Sequence, residues 1–87
     1  MRFKVILHKD AVKDYKKSDS KLKARINKAI DAISENPFYG VHIKKLEGQL
    51  SGMYRYRIGD MRILYEIHND MKIVRIKAIE PRDGVYN

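Results

Sequence analysis

The sequence predicts an α+β domain: an N-terminal strand, two helices and then a three-stranded antiparallel meander, with the helices packed on one face of the sheet. Three observations carry this expectation. Apolar residues alternate at the N-terminus and again after residue 53, the period of a half-buried strand. Between those stretches Leu22, Ile26, Ala29, Ile30 and Ile33 recur at helical spacing. Gly59-Asp60 and Asn69-Asp70 then mark two reversals within the C-terminal half.

From Arg2 to His8, Phe3, Val5 and Leu7 share one face of the first strand. Asp10 is expected to cap a short helix in which Ala11, Val12 and Tyr15 lie together while Lys13, Lys16 and Lys17 face water. Ser18 to Ser20 interrupts it. The second helix runs to Asn36, because Pro37 cannot continue it. Its outer side carries Lys21, Lys23, Arg25 and Lys28, read most simply as a solvated surface, with the alternative that it supplies part of a cationic groove. Residues 37–52 read as an irregular connection with Gly40, Gly48 and Gly52 among Lys44, Lys45 and Glu47. Along the meander Tyr54, Tyr56, Ile58, Met61, Ile63, Tyr65, Ile67, Val74, Ile76 and Ala78 share one parity and should face the helices.

With 87 residues and no internal repeat, the chain is expected to form one domain, 1–87. Nineteen lysines and arginines against 11 acidic residues give a formal net charge of +8. Such an excess favours an anionic partner: nucleic acid, a membrane surface or an acidic protein. Cysteine is absent, which removes disulfides and thiolate metal sites from consideration and fits a reducing compartment. The N-terminal apolar run is too short for a signal peptide and no stretch approaches a membrane span, so a cytoplasmic protein without membrane contact is expected.

The other parity of the meander is where chemistry is expected. If both reversals are two-residue loops, Arg57 lies across from Arg62, Arg55 from Leu64, and His68 from Met71. The same register sets Lys77 opposite Arg62 and Arg75 opposite Leu64, so that Arg55, Arg57, Arg62, Arg75 and Lys77 share a face with Glu66. Like charges opposed across strands destabilise a sheet, so a purely structural sheet would avoid the arrangement, and a phosphate-binding face explains it. Beyond the last strand, Pro81 ends pairing, Arg82 adds charge, and Tyr86 is placed to stack on a base or exchange a proton. His8, His42 and His68 do not converge, and no compact group of metal ligands emerges.

These residues resemble the RelE/ParE superfamily of prokaryotic toxins, particularly the RelE-like mRNA interferases. The resemblance covers nearly the whole chain. It lies in the element order, in Lys45-Leu46-Glu47-Gly48, in Leu50-Ser51-Gly52 leading to Tyr54-Arg55-Tyr56-Arg57, in Gly59-Asp60-Met61-Arg62-Ile63-Leu64-Tyr65, and in Pro81-Arg82 followed by Tyr86. It implies a toxin of a type II toxin–antitoxin system that cleaves mRNA in the ribosomal A site and is held in check by a cognate RelB-like antitoxin.

The resemblance also implies Arg55, Arg57, Arg62, Arg82 and Tyr86 as catalytic residues. Lys44, Lys45, Arg75 and Lys77 are the RNA-binding candidates, and neither a cofactor nor a metal is expected. Attack of an RNA 2′-hydroxyl on its neighbouring phosphate needs a base, charge stabilisation and a proton for the departing 5′ oxygen. Arginine does not serve as a base. Glu47, Glu66 and Tyr86 stay open for that role, as does catalysis by ribosomal positioning alone. Two rivals stand beside this reading: a ParE-like non-enzymatic toxin acting on DNA gyrase, and an inactive nucleic-acid-binding homologue.

Overall fold

In the computed structural model, which describes residues 2–81, five strands and two α-helices follow one another as β1 (Lys4–Leu7), α1 (Lys9–Lys17), α2 (Ser20–Glu35), β2 (Ile43–Lys45), a short 3-10 turn (Gly48–Leu50), β3 (Tyr54–Ile58), β4 (Met61–His68) and β5 (Ile73–Pro81). The sheet order is β1-β5-β4-β3-β2. β2 to β5 are antiparallel neighbours, whereas β1 runs parallel to β5. The sheet is therefore mixed: the two helices carry the chain from β1 at one edge to β2 at the other, and the antiparallel strands then step back across until β5 lies parallel beside β1.

Both helices start on a side-chain cap. His8 Nδ1 accepts the Asp10 N–H at 3.2 Å, so the cap of α1 is His8 and Asp10 stands in the first turn, where its carboxylate complements the helix dipole. Asp19 caps α2 by accepting from Leu22 N–H at 2.8 Å. Asn36 closes α2, and its side-chain oxygen accepts the N–H groups of Phe38 and Tyr39, which turns the chain at Pro37.

The core lies between the helices and one face of the sheet. Ala11 from α1 and Ile26, Ala29 and Ile33 from α2 meet Ile58, Ile63, Tyr65, Val74, Ile76 and Ile79. Full burial of one such aliphatic side chain contributes about 1.5–3 kcal/mol. Tyr65 is fully buried, and its hydroxyl donates to the Pro37 carbonyl at 2.7 Å, which ties β4 to the end of α2.

Three sequence expectations are corrected. The connection 37–52 contains a strand, β2, whose three residues are too few to show a period. The second reversal is a four-residue loop, Asn69 to Lys72, so His68 faces Ile73 rather than Met71; Lys72 adopts φ 56°, the left-handed conformation that turns the chain back. Finally, Leu64 pairs with Ala78 but Tyr65 pairs with Ile76, leaving Lys77 as the extra residue of a β-bulge. The bulge moves Ala78 off the core face, carries Ile79 into the core, and sets Glu80 rather than Lys77 opposite Arg62. The backbone N–H of Ile79 donates to Asp14 Oδ2 at 3.0 Å, so α1 fastens the strand just past the bulge.

Candidate nucleic-acid interface

The face of the sheet turned away from the helices is built by the alternate residues of β2 to β5. The tight Gly59-Asp60 turn has positive φ at its first residue only, the pattern of a II′ hairpin, and it fixes the register of β3 against β4. Arg57 consequently faces Arg62, Arg55 faces Leu64, and Lys44 of β2 faces Arg55. The pairings of Arg57 and Arg55 with β4 match the sequence expectation, whereas that of Lys44 comes from the strand read as an irregular connection. Lys45 pairs with Tyr54 and so belongs to the opposite parity from Lys44.

On the far side of β4 the charges differ from expectation. Glu80 faces Arg62, and its Oε2 accepts from both Nε and Nη2 of the guanidinium, at 3.1 and 2.8 Å. Arg62 is only 8% exposed, so this ion pair offsets the desolvation of its charge and holds the side chain in one orientation. The repulsion expected between Arg57 and Arg62 is thereby relieved from the other neighbour. Arg75 faces Glu66, not Leu64, and Glu66 Oε1 lies 3.0 Å from His68 Nε2. Arg55 is oriented by a 2.6 Å bond from Nη1 to the His42 carbonyl, which also accepts the Arg57 N–H.

The face thus brings together Lys44, Arg55, Arg57, Arg62 and Arg75 with two carboxylates, Glu66 and Glu80. The 3-10 turn crosses beside it, and Glu47, Gln49 and Leu50 border a recess of about 260 Å³ against Arg62. Lys77, at the bulge, is set apart from Arg62. Arg82 and Tyr86 lie outside the described residues. Burial pushes the Tyr65 phenol well above its ordinary range, with the neighbouring Tyr54 and Tyr56 acting in the same direction, so it stays neutral and belongs to the core.

Sequence reasoning missed Glu80 as the partner of Arg62. A signal was present: apolar residues at 74, 76 and 79 break the period of two, which a bulge between the last two explains. Arg25 and Lys28, read most simply as solvated surface with a cationic groove as the alternative, follow the alternative. They line a groove of about 580 Å³ on the helix side of β3, together with Ala29, His42 and residues 56–60. Among the described residues no group of three or more His, Cys, Asp and Glu could hold a metal ion. No helix among them is long and apolar enough to cross a membrane.

A sequence model of the ParE toxin of the type II toxin–antitoxin system parDE matches residues 5–86. A curated protein of Methanocaldococcus jannaschii, a candidate toxin named RelE1, is 33% identical over 88 residues, covering 99% of this chain and 97% of that one. Among solved structures, RelE in the archaeal RelE–RelB complex from Pyrococcus horikoshii superposes with a TM-score of 0.83 at 28% identity, over 97% of this chain and 99% of that one. A mutant of E. coli RelE in the free state shares the fold at 17% identity, with a TM-score of 0.81 over 98% of this chain and 88% of that one. Fold, charged face and sequence together define a toxin of a toxin–antitoxin system. The chain belongs to the RelE/ParE superfamily and is RelE-like.

Proposed function

We propose that the chain is a ribosome-dependent endoribonuclease that cleaves mRNA in the A site and is restrained by a RelB-like antitoxin. The observation that carries this reading is the register of β3 and β4, which opposes Arg57 to Arg62 beside Arg55 on a face away from the core. RNA supplies the nucleophile. Its 2′-hydroxyl loses a proton and attacks the adjacent phosphorus, the bond to the 5′ oxygen breaks, and that oxygen takes up a proton; the products are a 2′,3′-cyclic phosphate and a 5′-hydroxyl.

Arg55 and Arg57 hold the phosphate through their planar forks, and Arg62, fixed on Glu80, supplies a preorganised charge to the phosphorane. Arg82 assists the leaving group, and Tyr86 stacks on a base or moves a proton. Lys44 and Arg75 extend the cationic track for the RNA backbone. The ribosome orients the strand, which concentrates reacting groups that the isolated RNA leaves mobile.

The test is primer extension on mRNA from a translating extract given the purified chain. New ends confined to ribosome-occupied mRNA are expected, reduced on the order of 100-fold in rate by Arg62→Ala and weakened by Tyr86→Ala. Cleavage undiminished in Arg62→Ala sinks the assignment. The match to a ParE model favours a second reading, inhibition of DNA gyrase without chemistry; intact mRNA together with lost supercoiling activity would select it.

A further inference from the structure

We infer that the groove between α2 and β3, on the helix side of the sheet, is a second binding site for single-stranded RNA. A base would lie against the Tyr56 and His42 rings, and a neighbouring phosphate would sit between Arg25 and Lys28, with Arg57 at the rim. The site is separate from the face assigned to cleavage, although its ligand class rests on the proposed function.

The argument starts from charge. Arg25 and Lys28 are three residues apart on α2, so they project from the same side of the helix, and both are exposed. Arg57 lines the groove from β3. Among the described residues none of the three forms an ion pair, in contrast to Arg62, and Asp60 is the one carboxylate in the lining. Arg25 and Lys28, with Arg57 at the rim and Asp60 as the single carboxylate beside them, leave an excess of positive charge that an anion offsets.

The guanidinium of Arg25 also lies over the Gly59 turn, where an added Cβ would come within 2.9 Å of its Nη2. Its planar fork suits bidentate contact with phosphate oxygens.

The second observation is aromatic. His42 and Tyr56 stand with ring centroids 5.3 Å apart at 44°, a tilted pair bordering the groove. An acidic peptide would need the cations but not these rings, whereas a nucleotide uses both, stacking its base and presenting its phosphate. The volume of about 580 Å³ falls within the range of roughly 300–1,000 Å³ typical of small-ligand sites, ample for one nucleotide. Arg57 carries the connection: it borders this groove and, by register, opposes Arg62 on the other face, so a strand leaving one site can reach the other over the Gly59 turn.

The experiment uses the full chain without ribosomes and a fluorescein-labelled decauridylate, read by anisotropy over a series of salt concentrations. Arg25→Glu/Lys28→Glu is expected to weaken binding at least about tenfold and to lower the salt slope by about 1.4, from roughly 0.7 per phosphate contact. Lys13→Glu/Lys16→Glu, which changes net charge equally on exposed positions of α1, should cost under about threefold. His42→Ala and Tyr56→Leu should each weaken binding, Tyr56→Leu by roughly tenfold, with the slope unchanged.

Equal losses in the two charge-reversed proteins overturn the site, since attraction is then diffuse. So does unaltered binding by both ring variants, with His42→Ala, at an exposed position, deciding if Tyr56→Leu does not fold by circular dichroism. Displacement of the oligonucleotide by decaglutamate as readily as by unlabelled decauridylate assigns the groove to an acidic protein and also overturns it. Failure of mRNA cleavage in the extract, with oligonucleotide binding intact and lost in Arg25→Glu/Lys28→Glu, overturns the enzymatic reading alone.

Discussion

Tyr65 shows how a side chain with a chemically active group can be withdrawn from function. Its ring is sealed between the sheet and α2, its hydroxyl donates to Pro37 at 2.7 Å, and burial raises the phenol far above its ordinary value near 10. The folded protein holds the neutral phenol, whereas the unfolded chain releases its proton near pH 10. The folded pKa is the higher one, so the stability linked to this group is present below about pH 10 and is lost as pH rises above it. Tyr65→Phe removes the donor and leaves the Pro37 carbonyl unsatisfied, at a cost of about 1–3 kcal/mol at neutral pH. Urea unfolding from pH 8 to 11 is expected to show a steeper alkaline decline in the wild type than in Tyr65→Phe. Parallel declines would place the phenol in contact with water. Arg62 stands at the opposite pole: nearly as withdrawn from solvent, it is a buried cation whose desolvation is offset by Glu80 at 2.8 Å.

At the scale of elements, what was legible depended on how long a pattern persisted. The sixteen residues of α2 repeat their apolar side over several turns, and Asn36-Pro37 marks their end, so the helix was readable from one chain. The β3–β4 hairpin was equally plain, because Gly59-Asp60 dictates a two-residue loop and thereby the opposition of Arg57 and Arg62. Asn69-Asp70 carries the same kind of signal, yet the loop there extends to Lys72, where a lysine takes up the left-handed conformation; its Nζ lies 5.0 Å from the Phe3 ring and its carbonyl accepts the Lys4 N–H. Tertiary contacts with β1 settle that turn, and no local sequence encodes them. The bulge at Lys77 follows from the same cause, because the need to bury Ile79 and to satisfy its N–H on Asp14 outweighs regular pairing. The Gly59 turn offers a direct test. At φ 53° in the first position of a II′ turn, Gly59→Ala should lower stability by about 1–2 kcal/mol, and Gly59→Asn by no less, since this position takes glycine rather than the left-handed helical conformation that asparagine tolerates. Thermal unfolding of the two variants measures both losses; an alanine variant as stable as wild type would mean that the turn rearranges at no cost.

The whole molecule is a thin scaffold for its charge. One core, closed on one side by two helices, supports a sheet whose other side and edge carry cations, and the net charge of +8 must be held within a domain of one such core. In the absence of a polyanion this self-repulsion opposes the folded state, which is more compact than the unfolded chain. At 0.1 M salt the screening length is about 10 Å, so added salt shortens the reach of repulsion between the α2 cations and those of the sheet while leaving the close Arg62–Glu80 pair largely intact. The melting temperature of the isolated chain is therefore expected to rise between about 20 and 300 mM KCl. A saturating RNA oligonucleotide, added at low salt, should raise it further by binding only the folded form, and the same addition at high salt should do less because counterions compete for the cations. A melting temperature that falls with KCl would show instead that favourable ion pairs dominate the balance, and the cationic surfaces would then be stabilising features of the fold rather than a cost that an anionic partner relieves.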